Sequence, residues 1–186
     1  HLFGMVRFLH DSNQNMPLEG DSKFKELKKA YAKGVELKGK TLGILGFGRI
    51  GQATAKVALG VGMKVVAYDP FIDATNIQLD FFDGQQVNFM IDTISKEAVL
   101  EQADFISLHV PAQEDYVIGE KEFKIMKEGA GIVNAARGGV IDEIALIAAI
   151  DEGKISNAAL DVFENEPNPE IQLLMNKNIS LTPHIG

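Results

Sequence analysis

Three residues in the second half of the chain have side chains suited to acid–base chemistry on a small carboxylic acid. His184 follows the apolar stretch NISLTP, Glu166 follows NAALDV, and Arg137 follows AGIV. A histidine paired with a carboxylate is a general acid/base that can accept a hydroxyl proton. The guanidinium fork of Arg137 suits bidentate binding of a substrate carboxylate, although a surface arginine in a turn is the alternative interpretation. The spacing alone does not require the three side chains to meet.

The segment GFGRIG, residues 46–51, suggests the binding of a phosphate group. Gly46 allows a tight turn, Gly48 lets a pyrophosphate approach the backbone, and Gly51 lets a helix pack closely on a strand. The N–H groups at the start of that helix point toward an anion, and Arg49 can add a charged hydrogen bond. Glycines occur in many strand–helix turns, so this motif needs a second signal.

Asp69 supplies that second signal, because it ends the next predicted strand at about the spacing of 20 residues typical of dinucleotide-binding folds. There a carboxylate can accept hydrogen bonds from the adenosine ribose. The alternative is a turn aspartate before Pro70. A carboxylate would repel a 2′-phosphate, and no arginine follows closely, so the sequence favours NAD over NADP.

The remaining histidines are weaker candidates. His109, in LHVP, also follows a predicted strand and competes with His184, but no acid is paired with it, and we interpret it as structural or adenosine-side. His1 and His10 are expected at the surface or an interface. No cluster of residues has the spacing of metal ligands, so we predict no metal.

The elements that must position these residues alternate between short apolar runs and helical segments. This alternation predicts a parallel sheet covered on both faces, an α/β doubly wound Rossmann fold. Such sheets bind ligands at the carboxyl ends of their strands. The predicted strands are TLGILG, MKVVAYD, QVNFM, DFISLHV, AGIVNAA, SNAALDV and NISLT, with helices at 49–59, 95–102, 120–127 and 142–151.

Two helices are predicted ahead of the sheet. Apolar spacing indicates one at residues 2–9, followed by a loop at 11–21 and a second helix, residues 22–34, ending at a glycine. In the helix at 49–59, the pattern predicts four residues facing the core. They are Ile50, Ala53, Val57 and Ala58.

The composition narrows the function classes. The 186 residues suit one globular domain, and a net charge of −8 without a Lys/Arg block disfavours nucleic acid as a partner. The lack of cysteine excludes disulfides, Cys-ligated zinc and iron–sulfur clusters. No apolar run is long enough for a membrane span and no signal peptide is visible, so we expect a cytoplasmic protein.

Six motifs in order resemble the nucleotide-binding domain of the D-isomer-specific 2-hydroxyacid dehydrogenases. They are LKGKTLGILGFGRIG, YDP, LHVP, NAARGGVIDE, AALDVFENEP and TPHIG. The resemblance implies hydride transfer between NAD and a D-2-hydroxy acid, with 3-phosphoglycerate of serine biosynthesis as the expected substrate. A nucleotide-sensing corepressor built on the same fold is the alternative. A methyltransferase is disfavoured by the Asp69-Pro70 and TPHIG elements.

The resemblance also implies roles for matching residues. Arg137 would bind the substrate carboxylate and carbonyl, His184 would be the acid/base, and Glu166 would be its partner. The remaining matches would hold the cofactor: Gly46, Gly48, Arg49, Ile50 and Gly51 the pyrophosphate, Asp69 the ribose, Val110 and Pro111 the adenosine, and Asp161 with the backbone around Ala135 the nicotinamide amide.

The resemblance finally implies how the chain is organised. Residues 1–186 would be the NAD-binding domain, and residues 1–16 would include a leading interdomain or dimerisation helix of a homodimer. The substrate domain would lie outside this chain, so LTPHIG would not be a natural terminus. The segment after Pro111, AQEDYVIG, is about two residues shorter than the common family pattern.

Overall fold

A computed structural model describes all residues from 1 to 186. The strands are β1 (Thr41–Leu45), β2 (Lys64–Tyr68), β3 (Ala74–Asp80), β4 (Gln86–Asp92), β5 (Phe105–Leu108), β6 (Ala130–Asn134), β7 (Ile155–Leu160) and β8 (Ile179–Leu181). The helices are α1 (Leu2–Val6), α2 (Leu9–Glu19), α3 (Phe24–Tyr31), α4 (Arg49–Gly60), α5 (Lys96–Gln102), α6 (Glu120–Ile125), α7 (Glu143–Asp151) and α8 (Ile171–Met175). None of these helices combines the length and apolar character needed to cross a membrane.

Six strands form one parallel sheet in the order β2-β1-β5-β6-β7-β8. The chain builds outward from β1 to β2, then returns to the other side of β1 with β5. This reversal creates a switch point between β1 and β5, where doubly wound sheets bind their ligands. The predicted Rossmann-like α/β fold is therefore confirmed.

Apolar side chains fill both faces of the sheet. Ile132 of β6 packs into a cluster with α5, α6, α7 and α8, whereas its neighbour Val133 packs into a second cluster with α1 and α4. Successive side chains of a strand point to opposite faces, so the two clusters lie on opposite sides of the sheet. Every residue of β5 and β6 is buried, which explains their almost uninterrupted apolar sequences.

Side-chain caps set the starts of two predicted helices. The Ser95 hydroxyl accepts a hydrogen bond from the Ala98 N–H at the start of α5, and the Asp142 carboxylate accepts one from the Ala145 N–H at the start of α7. Both contacts satisfy an N–H group that has no partner within its helix. The predicted starts of these helices are thus within one residue of the observed ones.

The prediction for residues 86–90 was wrong about their sheet. β4 pairs antiparallel with β3 in a separate two-stranded sheet, and the chain has no helix between β2 and β3. The turn at 81–85 closes through a hydrogen bond from the Phe81 N–H to the Gln85 oxygen, with Gly84 at φ +84°. Alternating residues of TNIQLD put Ile77 and Leu79 on the buried face, a period-2 pattern that the sequence prediction overlooked.

The predicted loop at 11–21 is largely helical. The first predicted helix breaks at Phe8, whose φ is +54°, and α2 then runs through the polar segment to Glu19. Tyr31 of α3 donates a hydrogen bond to Asp11, and Asn15 donates one to the Tyr31 oxygen. Asp, Ser and Asn have low helix propensity, so this helix depends on tertiary contacts that local sequence does not reveal.

The predicted inner face of α4 was mostly wrong. Ala58 is buried as predicted, but Ile50 and Val57 are 67% and 61% exposed, and Ala53 is also exposed. The buried face of α4 consists of Gly51, Ala55 and Ala58, because only small residues let the helix lie close to the sheet. Ile50 and Val57 consequently face outward, whereas Leu59 is partly buried against the core.

The core assignment predicts a contrast between two truncations. Ile132→Ala should lower the free energy of unfolding by about 2–5 kcal/mol, because Ile132 is fully buried. Val57→Ala should change it by less than about 0.5 kcal/mol, because Val57 lies on the exposed face of α4. Urea denaturation followed by circular dichroism would measure both. A large loss for Val57→Ala would support the original inward assignment.

Candidate cofactor and active site

The candidate residues lie at one edge of the sheet because the strands are parallel. Each residue follows the carboxyl end of a strand or lies in the segment that begins there. They are Gly46 after β1, Asp69 after β2, His109 after β5, Arg137 after β6, Asp161 and Glu166 after β7, and His184 after β8. This is the edge where open parallel sheets bind ligands.

Close contacts explain why two positions of the glycine loop are occupied by glycine. Gly46 has φ +92°, and a Cβ there would lie 2.5 Å from the His109 carbonyl oxygen. A Cβ on Gly51 would lie 2.2 Å from the Gly46 oxygen, so helix and loop could not pack as they do. A Cβ on Gly48 would meet nothing within 4 Å, which leaves open space beside the backbone at the start of α4. That space fits an approaching pyrophosphate, with Arg49 and Ile50 exposed beside it.

Asp69 contacts the glycine loop directly. Its Oδ2 accepts a hydrogen bond from the Phe47 N–H at 2.7 Å, and its Oδ1 accepts one from the Phe71 N–H at 2.9 Å. A carboxylate can accept about four hydrogen bonds, so these two leave capacity for ribose hydroxyls. Asp69 therefore holds the glycine loop in place. Its carboxylate can still accept the hydrogen bonds that the predicted ribose binding requires.

His109 lies beside the glycine loop and is poorly suited to acid–base chemistry. Burial lowers the pKa of its imidazole to about 4, so the ring is neutral near pH 7. Its Nε2 lies 2.9 Å from the Ser107 hydroxyl. Val110 is half-buried, with its side chain near Gly46, and Pro111 is exposed. These positions agree with an adenosine-side role for the LHVP segment, which stays a prediction.

The structure pairs His184 with Glu166. His184 Nδ1 lies 2.9 Å from Glu166 Oε2, and Glu166 Oε1 accepts a hydrogen bond from the Phe163 N–H at 2.9 Å. The bond to His184, followed by the Phe163 bond, lowers the pKa of Glu166. His184 Nε2 makes no hydrogen bond within the chain, and the side chain is 50% exposed. The free nitrogen is thus available to a substrate hydroxyl.

Asp161 holds the turn that carries His184. Only 1% of Asp161 is exposed, and its carboxylate accepts hydrogen bonds from the Thr182 hydroxyl and from the N–H groups of Ile185 and Gly186. Burial alone would raise the pKa of Asp161, but these bonds outweigh burial and lower it. The backbone N–H of His184 also donates to the Asp161 carbonyl oxygen at 2.8 Å. Sequence reasoning assigned Asp161 only to the nicotinamide and overlooked this bracing.

Arg137 is exposed and forms no hydrogen bond or ion pair with His184 or Glu166. Its Nη1 donates to the Ala136 carbonyl oxygen at 2.6 Å, so the guanidinium folds back on its own turn. The buried Asn134 shapes this turn, because its amide donates to the Arg137 oxygen and accepts from the Ala136 N–H. Sequence reasoning missed Asn134, although an amide at the end of an apolar strand is a recognisable signal. Ala135 is exposed at the same strand end.

A backbone contact joins the Arg137 turn to the Glu166 segment. A Cβ on Gly138 would lie 1.9 Å from the Phe163 carbonyl oxygen, so only glycine permits this approach. A cavity of about 400 Å³ lies beside the paired His184 and Glu166, with an apolar wall that includes Phe163, Leu174 and Leu181. The arrangement can accept a proton beside a small apolar space. No group of three or more His, Asp or Glu residues is arranged to hold a metal ion.

The sequence pattern described as "D-isomer specific 2-hydroxyacid dehydrogenase, NAD binding domain" matches residues 1–186. The chain belongs to this family. Its cofactor is NAD, as predicted, and the open glycine loop with Asp69 at the neighbouring strand end fits that cofactor.

Curated relatives carry several activities. The chain is 47% identical over 159 residues to a glyoxylate reductase of Thermococcus litoralis, covering 82% of this chain and 44% of that protein. It is 48% identical over 164 residues to a hydroxypyruvate reductase of Thermotoga maritima, covering 86% of this chain and 50% of that protein. It is 46% identical over 156 residues to a D-3-phosphoglycerate dehydrogenase of Methanocaldococcus jannaschii, covering 83% of this chain and 28% of that protein. The chain thus spans half or less of the length of these three relatives.

Solved structures share the fold. The holo form of Rhodotorula graminis D-mandelate dehydrogenase matches with a TM-score of 0.83 and 32% identity, over 99% of this chain and 52% of that chain. A glyoxylate reductase from Paecilomyes thermophila matches with a TM-score of 0.78 and 35% identity, over 100% of this chain and 52% of that chain. The Rossmann-like architecture is therefore that of 2-hydroxyacid dehydrogenase NAD-binding domains.

The glycine contacts predict different effects for two substitutions. Gly51→Ala should destabilise the fold by at least about 1–3 kcal/mol, because its Cβ would overlap the Gly46 oxygen. Gly48→Ala should leave the stability within about 0.5 kcal/mol but weaken NADH binding at least about tenfold, because its Cβ would enter the space left for the pyrophosphate. Urea unfolding and calorimetric NADH titration would measure both. Unchanged NADH affinity in a folded Gly48→Ala variant would contradict the assigned phosphate position.

Proposed function

We propose that the protein to which this chain belongs transfers hydride between NAD and a D-2-hydroxy acid. The hydrogen-bonded His184–Glu166 pair, at the same sheet edge as the glycine loop, is the observation that carries the proposal. The chain corresponds to the NAD-binding domain, and the substrate domain is proposed to lie in a part of the protein outside these residues.

His184 is the proposed acid/base. When bound, NAD would supply the hydride acceptor. In oxidation, His184 Nε2 would accept the proton of the substrate hydroxyl. Glu166 remains on Nδ1, where it fixes the tautomer and its negative charge stabilises the protonated ring. In reduction the same nitrogen returns the proton to the carbonyl oxygen. No other histidine at this edge has both a free nitrogen and a carboxylate partner, since His109 is paired with Ser107.

Arg137 is proposed to bind the substrate carboxylate and carbonyl. Its side chain is exposed, and its one hydrogen bond is to a neighbouring backbone oxygen, so rotation about its side-chain bonds frees the guanidinium fork. Asn134 holds the turn in place during that rotation. A bidentate bond to a carboxylate would then orient the acid relative to His184.

The positions of the predicted residues at one sheet edge support the following cofactor contacts. The glycine loop is proposed to bind the pyrophosphate, Asp69 the adenosine ribose, and Val110 with Pro111 the adenosine. Asp161 and the exposed backbone at Ala135 are proposed to bind the nicotinamide amide. We also propose a cytoplasmic homodimer. The dimer is supported by exposed apolar residues of the first three helices, Phe3, Leu9, Leu18 and Phe24.

His184→Ala in the full-length protein should lower the rate of hydride transfer by about 10²–10⁴, because the hydroxyl proton loses its acceptor. NADH affinity should be unchanged, because His184 lies outside the proposed cofactor contacts. Stopped-flow measurement of NADH formation and fluorescence titration would separate the two effects. His10→Ala is the matched control, since His10 is an exposed histidine away from the strand ends. Equal losses in the two variants, or no loss in either, would contradict the proposed role.

The substrate is proposed to be 3-phosphoglycerate. The support is the order of the sequence motifs, together with D-3-phosphoglycerate dehydrogenases among the relatives, one of which, from Synechocystis, matches 100% of this chain at 37% identity. The full-length protein should reduce 3-phosphohydroxypyruvate with kcat/KM at least about tenfold above that for glyoxylate or hydroxypyruvate, a difference of about 1.4 kcal/mol. Steady-state assays with the three oxo acids and NADH would decide. A preference for glyoxylate or hydroxypyruvate would reject this substrate and keep the reaction class.

A further inference from the structure

Glu143, the first residue of α7, is a buried acid that the proposed chemistry does not use. Only 4% of it is exposed, and it and Asp161 are the two buried acidic residues of the fold. The carboxylate of Asp161 accepts three hydrogen bonds, and both of its oxygens have a donor. Glu143 has one donor, the Glu164 N–H, at 2.7 Å from Oε1, and its Oε2 is buried without a partner.

Burying a carboxyl group costs free energy. We therefore expect a buried carboxyl group to make a contact that an apolar residue could not make. Burial raises the pKa of Glu143, and the Glu164 N–H bond opposes this only in part. The carboxylates of Glu164, Glu170 and Glu166 raise the pKa further. An acid that served only the N-terminus of α7 could remain in water. Glu143 instead points inward, to a single backbone amide.

That amide lies on the turn that carries Glu166. The Phe163 N–H donates to Glu166 Oε1, and the next N–H along the chain, that of Glu164, donates to Glu143. Two successive amides of one turn are therefore fixed by two carboxylates. Movement of the Glu164 amide would also turn the peptide that orients Glu166, and with it the contact to His184.

Glu164 also makes a second contact, through its side chain, and this contact is exposed. The Tyr116 hydroxyl donates to Glu164 Oε1 at 2.6 Å, and this bond raises the pKa of Tyr116 to about 12. Tyr116 is 44% exposed, so water can replace its hydrogen bond. Water cannot easily replace the buried bond from Glu143. The backbone of Glu164 is thus held by the buried contact, and its side chain by the exposed one.

We propose that Glu143 is a positioning residue for Glu166: its buried oxygen fixes the Glu164 amide and so holds the turn on which Glu166 meets His184. Glu143 forms no hydrogen bond with either member of the pair and acts through the backbone of Glu164. The catalytic consequence rests on the proposed function, whereas the structural consequence does not.

The first test is nuclear magnetic resonance of this chain in three variants. Glu143→Met keeps the length of the side chain but removes the acceptor, Glu143→Gln keeps an acceptor oxygen, and Tyr116→Phe removes the exposed contact alone. The carboxyl carbon of Glu166 is followed during a pH titration. In Glu143→Met the pKa of Glu166 should rise toward its ordinary value of 4.5, because the turn no longer holds the carboxylate on its donors. In Glu143→Gln and Tyr116→Phe it should stay low.

The direction of the shift separates positioning from simple charge removal. Loss of a nearby negative charge would lower the pKa of Glu166, whereas loss of its hydrogen-bond geometry raises it. A lowered or unchanged pKa in folded Glu143→Met would overturn the proposal. If Glu143→Met does not fold, Glu143→Asp takes its place. Its carboxyl group is one methylene shorter and withdraws from the Glu164 N–H, so the same rise is expected and its absence would again overturn the proposal.

The second test uses the full-length protein, once its D-2-hydroxyacid dehydrogenase activity has been measured. Glu143→Met should slow hydride transfer about 10- to 100-fold with unchanged NADH affinity, and Glu143→Gln should restore most of the rate. Equal rates for Glu143→Met and the unmodified protein would overturn the catalytic role. An unmodified protein without dehydrogenase activity would reject the proposed function, while the titration of Glu166 would still decide the positioning role.

Discussion

The buried carboxylate of Asp161 accepts three hydrogen bonds from residues 182–186 and thereby fixes the turn that carries His184. That turn needs an anchor, because His184 has φ +54°, a left-handed conformation that costs on the order of 1–3 kcal/mol for a residue with a Cβ. A hydrogen bond to a charged group contributes about 1.5–3 kcal/mol, so three of them exceed the strain. Since the pKa of Asp161 is lowered in the fold, this contribution is complete above the ordinary value of 3.8 and is lost as the pH falls through the folded pKa.

Close backbone contacts extend this anchoring across the sheet edge. Gly138 brings the Arg137 turn against the Phe163 carbonyl group, and Gly51 brings α4 against the Gly46 carbonyl group. Neither contact tolerates a Cβ. Because the strands are parallel, these segments all begin at one edge of the sheet. The glycines then allow neighbouring segments to lie in close contact. The candidate residues thus lie along one edge of the sheet, from Asp69 after β2 to His184 after β8.

The sequence was most informative where one physical requirement governs several consecutive residues. Uninterrupted apolar runs identified the parallel strands, and the Asp142 cap located α7, because burial and capping leave local patterns. The glycine spacing located the turn between β1 and α4 for the same reason, and phosphate binding by this turn stays a prediction. His184 and Glu166 could be placed at strand ends from the sequence, but their contact depends on tertiary structure.

Other features depend on contacts between distant residues. The polar helix α2 is supported by Tyr31, 20 residues after its partner Asp11, so local propensity indicated a loop. Small residues form the buried face of α4, contrary to the rule that large apolar side chains face inward. Glu143 resembles an ordinary acid at the start of a helix, and only its burial and its bond to the Glu164 N–H show that it holds another segment. Asn134 did carry a sequence signal, since it ends an apolar strand.

We propose that His184 Nε2, on a ring held in place by Glu166 at Nδ1, receives the substrate proton at the NAD-binding edge. A crystal structure of the full-length protein with NADH and the unreactive oxo-acid analogue oxamate would test this proposal. We expect the carbonyl oxygen of oxamate to lie about 2.6–3.2 Å from His184 Nε2, with Nδ1 still bonded to Glu166 and the pyrophosphate beside Gly48. An oxamate oxygen bonded to a different proton donor, with His184 turned away from the nicotinamide, would contradict it.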